Sequence, residues 1–369
     1  MRQSEYFIKT LKEIPADEVS INAQLLTRAG YIDKLMAGAY TYLPLGVRVL
    51  DKIKNIVREE MNNIGAHEIL MPAMQPKSIW SETDRWDQMK EIMFQFKGRG
   101  NTDIGLGTTH EEPIVDMVRK RINSYRDLPL YLYQIQDKFR NEPRAKSGLL
   151  RGREFSMKDL YSFHRTEQGL KDYYEVVKQS YVKIFKRLGM EALIVEASGG
   201  VFSKEYSHEF QVLTPSGEDT IYHCSCGWAQ NKEIVEIKPG DNCPNCQKGS
   251  VKESKAIEVG NIFKLGQKYA NDMNLFYIND QGKKQNVFMG CYGFGPSRVM
   301  GSIVELFHDK DGIIWPKEVS PWQAHLLVLG DDEDTKKRAD ELYVELQKHN
   351  IEVLYDDRDE SPGSKLKEA

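Results

Sequence analysis

Residues 131–164 read YLYQIQDKFRNEPRAKSGLLRGREFSMKDLYSFH. Two β-prone runs, Leu130–Ile135 (LYLYQI) and one opening at Glu154–Met157, flank a loop rich in Arg, Lys and Gly. Antiparallel pairing across a basic hairpin is the economical arrangement. From 137 to 165 there are eight Lys or Arg (138, 140, 144, 146, 151, 153, 158, 165) against four acids, a local +4 in a chain whose 51 Lys+Arg and 55 Asp+Glu leave it at −4. A solvated loop is one explanation of such a run; an anionic ligand is the other. The arrangement favours the ligand, because the hairpin presents two arginine sets, Phe139-Arg140-Asn141-Glu142 and Arg151-Gly152-Arg153-Glu154-Phe155, around one space. Arginine makes bidentate contacts to phosphate or carboxylate, and Phe155 can stack on a base or a guanidinium.

Upstream, Leu50, Ile53, Val57, Met61 and Ile64 recur at helical spacing from Gly46 to Gly65, which supplies the stop. His67–Met74 (HEILMPAM) reads as a strand that Pro72 confines to an edge or interface. Downstream, Leu170, Tyr173, Val177, Tyr181, Ile184 and Leu188 make a second stripe, with Thr166 as cap and Gly189 as close. Thr108–Pro113 (TTHEEP) gathers hydroxyl, imidazole and carboxylates before a helical run and reads most simply as a capping sequence. Ser207–Gln211 opens an alternating strand in which His208 and Phe210 share a face. Met289–Phe307 (MGCYGFGPSRVMGSIVELF) is strand, glycine turn and helix, with Pro296 in the first turn and Arg298 near a helix N-terminus that suits phosphate. A dinucleotide fingerprint needs glycine where Arg298 stands, and no Walker A lysine is present. From Ser320 a βαβ unit follows: strand His325–Leu329, helix Asp334–His349, strand Ile351–Tyr355. The chain reaches Ala369 before two parallel strands could gain enough partners, so the last domain is expected to be incomplete.

At 369 residues the chain holds about two or three domains. Its 40% hydrophobic and 29% charged residues exclude collagen-like and disordered classes. No secretory h-region or membrane-length apolar run is found, and five cysteines are too few for a disulfide scaffold, which points to the cytoplasm. Four of them form Cys224-Ser-Cys226, 16 residues, then Cys243-Pro-Asn-Cys246, two knuckles suited to structural zinc. The first pair is tight, so His223 is a possible substitute for Cys224; reduced cysteines and an eroded metal site are the plainer readings. Four ligands would close the shell against catalysis. Cys291 reads as a small strand residue.

Taken in order, Gly46–Pro72, Phe139–Asp159 and Gly290–Glu305 resemble motifs 1, 2 and 3 of the class II aminoacyl-tRNA synthetases. The stretches LLTRAGYIDKLMAGAYTYLPLG, SHEFQVL, IEVGNIFKLGQKYA and MGCYGFGPSR resemble the bacterial prolyl-tRNA synthetases, so the likeness spans essentially the whole chain. It implies an α+β fold: an antiparallel sheet flanked by helices over 1–319 (motif 1 about 46–74, motif 2 about 137–164, Cys-rich insert about 222–256, motif 3 about 288–308), then part of an α/β anticodon-binding domain over 320–369. It further implies a cytoplasmic homodimer built around the motif 1 helix and Pro72. Its activity would be the conversion of L-proline and Mg²⁺-ATP to prolyl-adenylate, with transfer to tRNA(Pro). The family's usage assigns Arg140 to the α-phosphate and the prolyl carboxylate, Glu142 to the adenine amino group, and Phe155 to adenine stacking. Arg151 and Gly152 match ATP-lining positions, Gln211 is a further ATP-side candidate, and Arg298 matches the arginine on the γ-phosphate. Thr109 and Glu111 match the pair that receives the proline nitrogen, and His208 a residue of the proline pocket.

Attack of a carboxylate on the α-phosphate needs positioning and charge stabilisation, which arginines and Mg²⁺ supply without a protein nucleophile. Two departures stand out. About 25 residues separate GWAQN from IEVGN, where bacterial relatives often carry an editing insertion, so editing in cis is not expected. The usual Gly-Gly-Ser lead into SHEF is replaced by Val-Phe-Ser-Lys-Glu-Tyr, 201–206. The rival readings are a prolyl-adenylate-forming paralogue with little tRNA charging, and a catalytically silent protein that binds RNA or a partner.

Overall fold

The computed structural model describes residues 1–16, 18–145, 147–200, 205–330 and 332–369. Lys146 of the basic loop and positions 201–204 of the altered lead into Ser207 lie outside the described residues.

The alternating segments assemble into one nine-stranded sheet. Its strands are β1 (His67–Glu68), β2 (Leu130–Phe139), β3 (Glu154–His164), β4 (Leu193–Ala197), β5 (Ser207–Leu213), β6 (Asp219–His223), β7 (Ala229–Asn231), β8 (Lys252–Gly266) and β9 (Phe288–Phe294), in the order β5-β4-β7-β6-β8-β9-β3-β2-β1, with β5 also paired to β8. The hairpin expected from residues 131–164 is present and longer than its apolar runs suggested: β2 and β3 pair from Leu130↔Phe163 to Phe139↔Glu154.

Helices α1 (Ile21–Arg28), α2 (Pro44–Asn63), α3 (Glu111–Val118), α4 (Glu167–Arg187) and α5 (Pro296–Leu306) accompany the sheet. Thr166 caps α4 by accepting the Gly169 N–H, and Gly189 (φ +71°) provides the left-handed residue that ends it. The α2 and α4 stripes meet one sheet face, where Ile53, Val57, Tyr181, Phe210, Val299 and Ile303 are fully buried in a single cluster. Each such side chain contributes about 1.5–3 kcal/mol on leaving water. Because strand neighbours point to opposite faces, Lys158 and His164 of β3 lie with the helices: Lys158 Nζ donates to Tyr181 Oη at 2.5 Å, and His164 packs on Tyr173. Asp159 and Tyr161 therefore face the other way, where the site lies.

The run 67–74 is not one strand. Only His67–Glu68 pairs, parallel to Leu132–Tyr133, and Met74–Pro76 joins a separate three-stranded sheet with Gln95–Lys97 and Asp103–Leu106. Beyond Ile69, whose N–H still reaches the Tyr133 carbonyl, side chains replace the ladder: Gln134 Oε1 accepts the Met71 N–H at 3.0 Å and Gln136 Nε2 donates to the Met71 carbonyl.

At the C-terminal end β10 (Ala324–Leu327) and β11 (Val353–Asp356) pair in parallel, joined by α6 (Glu333–Lys348), as the βαβ pattern predicted. Arg2 adds a parallel bridge to Tyr355, and its guanidinium reaches Asp340 at 2.6 Å and Asp357 at 3.2 Å. Arg48 of α2 lies 3.8 Å over the Trp322 ring, and Lys52 pairs with Glu352 at 2.5 Å. No helix among the described residues is long and apolar enough to cross a membrane.

Candidate active site

The turn before α3 brings Thr109, His110, Glu111 and Glu112 against the open face of the sheet. Glu111 is 1% exposed and Glu112 0%. The capping sequence expected at Thr108–Pro113 does not form: no side chain caps α3, and the Thr109 hydroxyl donates to Glu111 Oε2 at 2.5 Å instead. Both carboxylates point into the protein rather than back over the helix end. From β9 the Cys291 thiol donates to Glu111 Oε1 at 3.2 Å, so this residue is part of the site and not a mere strand filler. Arg85 Nη1 sits 2.8 Å from Glu112 Oε1 and 3.6 Å from Glu111 Oε2.

Beneath this pair lies a buried polar network. Lys138 Nζ donates to His110 Nδ1 at 2.9 Å and pairs with Asp159 Oδ1 at 2.7 Å. The other oxygen of Asp159 accepts from Gln134 Nε2 (2.9 Å) and Tyr161 Oη (3.0 Å), and that same hydroxyl accepts the His110 backbone N–H at 3.1 Å. His110 Nε2 donates to the Pro72 carbonyl at 3.0 Å, which fixes the neutral tautomer with Nδ1 free to accept. Burial and the Lys138 charge push His110 down to about 4, in keeping with that tautomer. The network joins Pro72, the Thr109–Glu111 turn and the β2–β3 hairpin into one rigid unit.

Arg140, at the end of β2, lies 5.1 Å from the Phe155 ring and reaches the Thr108 carbonyl at 3.5 Å. Burial and then Arg298 hold its guanidinium below the ordinary value, while Glu258, Glu142 and Glu111 act in the opposite sense. One arginine therefore stands within electrostatic reach of both the Glu111 pair and the Arg298 end. Arg298 Nη1 donates to the Glu258 carbonyl at 2.9 Å. Glu142 pairs with Arg151 at 2.8 Å, and Arg151 also pairs with Glu218 at 2.7 Å. Gly152 packs where a Cβ would sit 2.9 Å from the Glu154 carbonyl, so only glycine lets the hairpin close there. Gln211 Nε2 donates to Glu209 Oε2 at 2.6 Å, and its Oε1, like Asn261 Oδ1, is buried without a hydrogen bond. Burial and the Glu258 charge push Glu209 up to about 8 and Asp219 up to about 6. These carboxylates and unpartnered carbonyl oxygens line the Arg298 end of the site, although among the described residues they do not converge into a cage for an ion.

The structure thus gathers Thr109, Glu111, Arg140, Phe155, Glu142, Arg151, Gly152, Gln211 and Arg298 on one face. It does not bring His208 to them. Residue 208 points to the helix side, where the Tyr174 hydroxyl is 2.8 Å from its Nδ1, while its neighbour Glu209 takes the site side. The sequence reading gave no role to Arg85, Glu112, Lys138, Asp159, Glu209, Asp219 and Glu258; Glu112, in the quoted TTHEEP run, and Lys138, among the counted basic residues, carried a local signal.

The four clustered cysteines converge: their sulfurs all lie within 4.8 Å of one another, with Cys224–Cys246 at 3.9 Å and Cys226–Cys243 at 3.6 Å. A tetrahedral zinc with bonds of about 2.3 Å requires sulfur separations of about 3.8 Å, so the residues fit the ion. The Trp228 N–H holds the Cys226 thiol down at about 6. His223, the proposed substitute, bonds Ser254 Oγ at 2.9 Å instead, since it is the last residue of β6 and points along the sheet.

A largely antiparallel sheet in which an arginine hairpin pairs directly with a strand, glycine turn and helix defines a class II tRNA synthetase core. The family model described as "tRNA synthetase class II core domain (G, H, P, S and T)" matches residues 94–307, and "Anticodon binding domain" matches 323–369. A proline–tRNA ligase of Ehrlichia canis is 43% identical, with 99% of this chain and 89% of that protein covered. One from a Sulfurihydrogenibium species is 34% identical, with 100% and 92% covered. The chain belongs to the proline–tRNA ligase family of aminoacyl-tRNA ligases. The second alignment is 517 positions long against 369 residues here, the first only 388; the Sulfurihydrogenibium protein therefore carries long internal stretches without counterpart in this chain. The fold matches a solved prolyl-tRNA synthetase from Cryptosporidium parvum complexed with L-proline and AMP, at TM-score 0.76 and 17% identity, over 94% of this chain and 64% of that one.

Proposed function

We propose that this chain converts L-proline and ATP to prolyl-adenylate and pyrophosphate, then transfers the prolyl group to tRNA(Pro). The observation that carries the reading is Arg140, held between Glu111 and Arg298. Glu111, primed by Thr109, receives the protonated ring nitrogen. A prolyl carboxylate oxygen then attacks the α-phosphorus as the bond to the β-phosphate breaks, with Arg140 stabilising the added charge. Phe155 stacks on adenine; Arg151 gives up Glu142 to the adenine amino group, and Arg298 turns from Glu258 to the γ-phosphate. Mg²⁺, carried in on ATP, would offset the charge of the phosphate tail, and Glu258 and Asp219 line that end of the site as oxygen donors. In the second step a hydroxyl of the tRNA's terminal ribose attacks the prolyl carbonyl, and AMP leaves.

Three further readings belong to this proposal. The chain divides into a catalytic unit over 1–319 and an anticodon-binding unit over 320–369. The four cysteines hold a structural zinc. The chain works as a homodimer in the cytoplasm; Leu70 and Met74, 76% and 63% exposed around Pro72, need an apolar cover. The experiment is amino-acid-dependent ATP–pyrophosphate exchange with all twenty amino acids, followed by charging of tRNA(Pro). Exchange with proline, and weaker exchange with alanine or cysteine, supports the reading; none from folded protein overturns it.

A further inference from the structure

The amine subsite holds two consecutive carboxylates, both buried, and two like charges in a dry site resist being ionised together. Glu111 has work for its charge. Glu112 faces no substrate in the proposed mechanism, yet it is completely buried and one of its oxygens has no hydrogen bond. Arg85 Nη1 lies between them, bonded to Glu112 Oε1 at 2.8 Å but 3.6 Å from Glu111 Oε2, beyond hydrogen-bond distance. Further contacts hold the guanidinium and its partner Glu112 there. Tyr269 Oη accepts from Nη1 at 2.6 Å, the Trp80 ring lies 5.0 Å below, and the Thr83 hydroxyl shares Glu112 Oε1 at 2.8 Å. Asp84, between Thr83 and Arg85, adopts φ 55°, a left-handed turn in the segment whose two ends both reach Glu112.

The unequal sharing has a consequence. A full Arg85–Glu111 bond would neutralise the group that must attract a substrate cation. We propose that Arg85, anchored by Glu112, is a positioning residue that stands beside Glu111 without taking a hydrogen bond to it, and so leaves that carboxylate to the ammonium of the substrate. The inference rests on the reading of Glu111 as the acceptor of the proline nitrogen. Burial and the Glu111 charge push Glu112 up to about 7, so the balance of the three groups is sensitive near neutrality.

The test uses pyrophosphate exchange with Arg85→Met and with the isosteric Glu112→Gln in the full chain. Tetrahydrofuran-2-carboxylate, which has the ring and carboxylate but no amine, serves as competitive inhibitor. Arg85→Met should raise the proline KM by about tenfold or more while the ATP KM and the inhibitor's Ki stay within about twofold. Glu112→Gln hands Arg85 to Glu111 alone; the proline KM should rise and its variation between pH 6 and 8 should flatten. Parallel weakening of proline and inhibitor would mean a collapsed pocket and would overturn the proposal. So would an unchanged proline KM in Glu112→Gln, which keeps the test open if Arg85→Met does not fold. Absence of proline-dependent exchange in the unsubstituted protein would instead remove the functional reading beneath it.

Discussion

Withdrawing the zinc proposed for the cysteine knuckle is the sharpest perturbation the fold offers. The knuckle's own core is Tyr222, Cys224, Cys243 and Val251, with Trp228, Val235 and Ile237 only partly covered. Two of its four buried side chains are themselves ligands, so apolar burial cannot hold residues 224–251 in place. The sulfur spacing leaves room for one ion, and Gly249 closes the site: its N–H donates to Cys246 Sγ at 3.3 Å, while a Cβ there would sit 2.5 Å from Cys224 Sγ. A structural zinc supplies roughly 10 kcal/mol or more of folding free energy to so small a unit. The knuckle should therefore open on its own when the metal leaves, while β6 and β8, paired from Asp219 to His223, keep the catalytic sheet. Elemental analysis of protein never exposed to chelator should give about one zinc per chain. Chelation should then expose new protease cleavage confined to 224–251 and four additional reactive thiols, with exchange activity largely retained. Less than about half an equivalent of zinc, or identical digests with and without chelator, would refute the site.

Arg140→Ala should lower the rate of proline-dependent exchange by about 10²–10³-fold or more without changing the melting temperature, and near-normal exchange would remove this residue from the chemistry. Lys158, buried on the helix side, is pushed down to about 7 by desolvation. The unfolded chain therefore binds more protons than the native one between pH 7 and about 10.4, and the stability cost, full below pH 7, fades as pH rises. Lys158→Met should compare most favourably with the parent in thermal unfolding at pH 7 and lose that advantage by pH 10; a pH-independent difference would count against a neutralised buried amine. Leu70→Asp with Met74→Asp should turn a dimer into monomer in sedimentation, and an unaltered dimer would move the interface elsewhere.

What the sequence revealed and what it hid follow from the range of the interactions. The α4 stripe was readable because Tyr173, Val177, Tyr181 and Ile184 need only their own spacing to define a buried face. The basic hairpin was readable because both its strands and its loop are local. His208 was misplaced although the clue was present: it shares a face with Phe210, and Phe210 packs on Tyr181 and Phe185 of α4, so both belong to the core side. The strand at 67–74 failed because the Gln134 and Gln136 side chains take the Met71 backbone groups that a continued ladder would use. Arg85 and Glu112 meet only after two short helices and a small sheet fold back, a pairing that no periodicity encodes.

The bridge from Arg2 to Tyr355 joins two segments that the whole catalytic sheet separates in the order of synthesis. During vectorial synthesis the segment around Arg2 must wait, unpaired, while the whole catalytic sheet is made. Phe7, still 71% exposed in the finished fold, belongs to that waiting segment. The anticodon-binding unit can complete its small sheet only once β11 has left the ribosome, which makes its docking a late checkpoint on a catalytic core that is by then already folded.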